Sequence, residues 1–112
     1  MIRLLFFLLI SGAVMAQKPT QAQVSLQTSA KCGMCKSRIE RDLGLTKGVD
    51  KATLRLTDKV VVIDYNPKKT NVEALKKAIS MIGYDADEVV ANQKSHDRLP
   101  DCCQKSAAPH VD

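Results

Sequence analysis

The apolar residues of this chain change their spacing in a fixed order, and that order constrains the fold more than any other feature. Val24 and Leu26 alternate with Ser25 and Gln27, which sets a strand from Val24 to Ser29. From Cys35 the apolar positions fall four apart, at Cys35, Ile39 and Leu43, with Lys36, Arg38, Glu40, Arg41 and Asp42 elsewhere. That spacing makes a helix with one apolar stripe, stopping at Gly44 or at latest Gly48. Ala52, Leu54 and Leu56 alternate again, Thr57-Asp58-Lys59 makes a tight turn, and a third strand runs from Val60 to Tyr65. Asn66-Pro67 ends it. Asn71 is placed to cap a second helix, in which Val72, Leu75, Ile79 and Ile82 share a face, and Gly83 closes that helix. Tyr84 to Val90 is expected as a last strand. The order β-α-β-β-α-β predicts an α+β, ferredoxin-like sandwich: a four-stranded antiparallel sheet with two helices on one face.

The rest of the chain is organised around that domain, expected over 24–91. Met1-Ile2-Arg3, the apolar run Leu4 to Ile10 and Val14-Met15-Ala16 have the layout of a signal peptide over 1–16. The segment is shorter than the ~20 residues of a membrane-spanning helix, so the expectation is an exported protein, periplasmic or secreted, with no stable membrane insertion. Residues 17–23 read as a polar linker, and 92–112 as a polar tail carrying His96, Cys102, Cys103 and His110. There are two Phe, both within the first ten residues, and no Trp. The core must therefore be built from aliphatic side chains and will be modest.

Four cysteines in an exported chain ordinarily suggest disulfides. Here they fall as two close pairs, Cys32 with Cys35 and Cys102 with Cys103, while stabilising bridges usually close longer loops. Close pairs suit holding a metal ion or redox work; long-range disulfides between the pairs remain the alternative. Lys31-Cys32-Gly33-Met34-Cys35 sits where a strand turns into a helix. The thiolate is the ligand, the helix N-terminus favours negative charge, and Lys31 and Lys36 add positive charge. Both thiols are therefore expected to ionise more easily than usual. With two sulfur ligands and no adjacent Asp, Glu or His, zinc would lack its usual four. A soft ion fits better: Cu(I) first, Hg(II) close behind, and Zn(II) only with help from the tail.

Cys32-Gly33-Met34-Cys35, Gly48-Val49, Val61-Val62-Ile63-Asp64-Tyr65-Asn66-Pro67 and Ile82-Gly83-Tyr84-Asp85-Ala86 together resemble the heavy-metal-associated domain family. That family includes copper chaperones, the N-terminal domains of metal ATPases and the periplasmic mercury-binding protein. The resemblance implies the fold just read, metal held by Cys32 and Cys35, and transfer to a partner by ligand exchange. Tyr84 matches the position that in bacterial members lies beside the metal loop; it reads equally as an aromatic filling the end of the core. The family usually has Gly-Met-Thr or Gly-Met-His before the first Cys, where this chain has Ser29-Ala30-Lys31.

Other functions fit less well. CGMC is also a pattern of thiol-disulfide oxidoreductases, but the Trp and the facing Pro of those enzymes are missing. An RNA-reading sheet needs strand aromatics, and the middle strands offer only Tyr65, so no nucleic acid is expected. His96 and His110 lie in the polar tail with no ordered Ser or Cys partner, which suits solvated side chains or weak extra ligands rather than catalysis, and no enzymatic activity is expected. The net charge of +5 suits simple solubility. Lys31, Lys36, Arg38 and Arg41, gathered near the metal loop, can instead form a docking patch for an acidic face on a metal-transporting protein or another metal-binding domain. Finally, the last strand should carry the tail away from the metal end. Cys102 and Cys103 then add thiolates to the ion within one chain if the tail is extended, or across a metal-linked dimer if it is helical; a disordered tail with idle thiols is the alternative.

Overall fold

The computed structural model describes residues 20–106. The residues expected as a signal peptide (1–16), residues 17–19 of the expected linker and His110 lie outside the described part. Three strands, β1 (Ala22–Gln27), β2 (Val49–Arg55) and β3 (Val60–Tyr65), form an antiparallel sheet in the order β1-β3-β2. Two long helices, α1 (Gly33–Gly44) and α2 (Val72–Ile82), connect β1 to β2 and follow β3. β1 starts at Ala22, so the ordered domain begins inside the expected linker.

The alternation seen in the sequence sets the register. Leu26 stands opposite Val61, and Val61 opposite Leu54. All three point inward because side chains of one strand alternate between faces. Val61, Ile63 and Tyr65 of β3 join Cys35, Ile39 and Leu43 of α1 and Leu75 and Ile79 of α2 in one buried cluster. Each large aliphatic side chain in it contributes on the order of 1.5–3 kcal/mol. Asn71 caps α2 as expected, its Oδ1 accepting from Ala74 N at 2.9 Å. Gly48, at φ 86°, leaves α1's loop for β2, and a side chain there would collide with Thr70.

The fourth strand departs from expectation. Past Gly83, it is reduced to single antiparallel bridges, Thr28 with Ala86 and Ala86 with Val89. Asp87, at φ 49°, turns the chain back at once. Its carboxylate accepts from Gln27 N at 2.8 Å, where a strand neighbour would have supplied a carbonyl. Val90, read as strand, is exposed. The reversal sends the tail back along the end of α2: Ser80 Oγ donates to Val90 O, and Asn92 N to Ser80 O. A short helix α3 (Gln93–Asp97), capped by Asn92, and a 3-10 turn (Asp101–Cys103) follow. The expectation of a tail leaving from the far end is therefore overturned.

Candidate metal centre

Cys32 is the N-cap of α1, in extended conformation (φ −151°, ψ 175°), and its side chain does not cap the helix. Its carbonyl accepts from Lys36 N, which starts the helical ladder. Cys35 lies in the first turn, anchored from below by Ile39 and Leu43 on the same stripe. The two sulfurs stand 3.4 Å apart. Both cysteines are buried, as is Ala30 just before them.

The tail completes the group. Cys103 Sγ is 3.9 Å and Cys102 Sγ 4.0 Å from Cys32 Sγ, and the two tail sulfurs are 3.8 Å apart. All four thiols are free, and the sulfurs of Cys32, Cys102 and Cys103 all lie within 4.8 Å of one another. Cys35 is not a member of that mutual set. The Cys102 thiol also points at Met34 Sδ, 3.7 Å away. Leu99, buried with the core, comes within 3.1 Å of where a side chain on Gly83 would start. Gly83 (φ 120°) therefore both ends α2 and leaves room for the tail.

The thiols do not ionise alike. Burial pushes Cys32 up, against the expectation that the helix terminus would lower it. Burial also acts on Cys35, but hydrogen bonds from the Cys103 thiol and the Lys31 backbone outweigh it, and Cys35 is lowered as expected. Cys103 is held well above the usual thiol range by burial and by its proximity to Cys35. Of Cys32, Cys35 and Cys103, Cys35 alone is shifted toward the thiolate. Tyr84 is fully buried, with no well-aligned partner for its hydroxyl. Burial, together with the thiols of Cys103 and Cys35, raises its pKa far out of reach. Tyr84 therefore both fills the core and presents a neutral hydroxyl to the thiols.

The heavy-metal-associated domain family matches residues 29–85, half of the chain and the segment from the loop before Cys32 to Asp85. The chain belongs to this family. A copper-exporting P-type ATPase of Staphylococcus saprophyticus is 47% identical over 70 residues, covering 61% of this chain and 9% of the ATPase. The chain thus corresponds to under a tenth of that relative's length. The structure of a CopZ metallochaperone is 35% identical with a TM-score of 0.56, covering 58% of this chain and 98% of that one. Oxidized MerP from Ralstonia metallidurans, at 24% identity and TM-score 0.57, covers 60% of this chain and 94% of its own and shares the fold. As a heavy-metal-associated domain the chain is a metal-binding module. Its tail cysteines lie beyond the family's matched segment.

The remaining sequence candidates are placed as follows. Lys31 Nζ donates to Lys105 O, tying the loop to the tail. Lys36 donates to Leu54 O at 2.7 Å and pairs with Glu40 at 3.4 Å, which turns it toward β2. Arg38 and Arg41 line a shallow groove with Gly33, Met34 and Ser37 beside the metal loop. His96 accepts from Lys105 N at 3.1 Å and is not among the clustered ligand atoms. Met34, Leu99 and Lys105 were not legible as site residues. A lone Leu before a Pro in a polar run was the one signal of docking.

Proposed function

We propose that this chain is an exported carrier that binds Cu(I) through Cys32 and Cys35 and passes it to a partner by thiolate exchange. The observation that carries this reading is the pair of free thiols 3.4 Å apart at the start of α1. Thiolates are soft ligands suited to Cu(I), and the ion's arrival must displace a proton from each sulfur that binds it. The copper-exporting ATPases and the CopZ metallochaperone among its relatives support the same ion. Tyr84, buried beneath the thiols, keeps water from that side. The exposed Met34 and the arginines of the adjoining groove form the surface that an acidic metal-transporting partner would meet. In exchange, a partner thiolate adds to the ion before one of this chain's sulfurs leaves, so copper is never bare. Competitive titration of the reduced protein with Cu(I) tests the reading. One tightly held ion is expected, lost in the Cys32→Ser/Cys35→Ser double variant; unchanged affinity in that variant overturns it.

A further inference from the structure

The tail pair is not a feature of the matched domain, and its position asks for a chemical role. The edges joining the sulfurs of Cys32, Cys102 and Cys103 are 4.0, 3.9 and 3.8 Å. A nearly equilateral triangle of that size has its centre about 2.3 Å from each corner, the length of a metal–thiolate bond as in zinc sites. Three sulfurs so placed need little rearrangement to hold one ion in their plane. Because Cys35 does not belong to the mutual set, the four sulfurs do not close the tetrahedron that structural zinc takes.

The scaffold holds this triangle. Cys103 and Leu99 are buried in the same cluster as Cys35 and Ile39. Lys105 is paired with Asp85 at 2.8 Å, and its carbonyl accepts from Lys31. His96 and Gln104 fasten the tail to itself, through Lys105 N and Leu99 O. The two pairs come together within a single chain.

We propose that Cys102 and Cys103 join Cys32 to form a three-thiolate cradle for Cu(I), which turns a readily exchanging two-sulfur carrier into one that retains its ion. The proposal rests on the Cu(I) reading above. Cys32 is common to both sets, so an ion loaded on Cys32 and Cys35 passes to the cradle by gaining the tail sulfurs and releasing Cys35, without leaving the protein. In that passage the tail thiols of Cys102 and Cys103 each lose a proton to solvent as their copper–sulfur bonds form, the bond to Cys35 breaks, and the freed Cys35 thiolate takes up a proton. No oxidation or reduction takes place. Release to a partner then requires the tail to let go.

X-ray absorption of the Cu(I)-loaded full chain counts the sulfur neighbours, and a competing chelator measures the rate of copper loss. Three sulfurs are expected in the unaltered protein and in Cys35→Ser. Cys102→Ser/Cys103→Ser should fall to two and lose copper at least about tenfold faster, since even indirect partners of a metal are worth ten- to a hundredfold. Cys102→Ser alone, at a half-buried position, gives a second reading should Cys103→Ser disturb folding, and is expected to lose one sulfur. Two sulfurs in the unaltered protein, with copper loss unchanged in both tail variants, overturns the cradle and leaves the Cys32–Cys35 carrier standing. Unchanged binding in Cys32→Ser/Cys35→Ser removes the carrier reading instead.

Discussion

Cys32 and Cys35 are fixed by a helix whose stripe, Ile39 and Leu43, is fully buried against the sheet. Cys102 and Cys103 are fixed by a segment with a single buried aliphatic anchor, Leu99, and a set of polar ties: Asp85 to Lys105, Lys105 to His96, Lys31 to Lys105. The first pair is held by packing that the whole domain shares. The second is held by contacts that can be undone locally, at the low-stability end of the molecule. One domain can therefore present a permanent pair of thiols and a removable one at the same spot.

The strongest way to break this contrast is to cut each anchor in turn. Ile39→Ala should cost about 2–5 kcal/mol of global stability and lower the melting temperature of the whole domain. Leu99→Ala should cost about 2 kcal/mol, the low end for such truncations. It should raise amide exchange over 93–106 while leaving 33–44 protected. Equal loss of protection in both regions would show that the tail is part of the global core. Gly83→Ala comes next. At φ 120°, with Ser95 O 3.0 Å and Leu99 Cδ1 3.1 Å from the new methyl carbon, it should cost about 1–2 kcal/mol in backbone strain and push the tail off. The readout is the Cu(I) sulfur count, expected to drop from three to two.

The smallest effect is electrostatic. Burial acts to raise Asp85, but the Lys105 ammonium and the Ala91 N–H at 2.8 Å hold its carboxyl below the ordinary range. A depressed folded pKa contributes stability that is present above the unfolded value of about 4 and is lost as pH falls through the folded one. Protection of 93–106 should hold from about pH 8 to 5 and decline below about pH 4. In Asp85→Asn it should be weaker at neutral pH, and that part of the pH dependence should vanish. A pH profile unchanged by the substitution would assign the tail's docking to Leu99 and the remaining polar ties rather than to Asp85.

The same contrast explains what could be read from the sequence. β1, α1, the β2–β3 hairpin and α2 were legible because each buries one face at a regular period, and Leu26, Ile39, Leu54 and Ile79 fall on that period. Cys32 and Cys35 were legible with them, since the strand-to-helix junction brings thiols three apart together. The last strand was misread. Tyr84, Val89 and Val90 favour a strand, but Asp87 adopts a positive φ and spends its carboxylate on Gln27 N. Once that turn is missed, the direction of everything after it is reversed, and the tail's approach to Cys32 is hidden. No periodic signal marks α3 or the 3-10 turn, because their positions are set by single contacts to Ser80 and Gly83.

Cys32 and Cys103 are 71 positions apart in sequence yet 3.9 Å apart at sulfur. An ion bonded to both ties the chain into a ring that encloses most of the described domain. In chain-entropy terms a covalent link of that span is worth about 4 kcal/mol. On the proposed carrier reading, copper so held would be cargo and also a cross-link, so giving the cargo away would reopen the ring, and each delivery would leave behind a looser protein than the one that arrived.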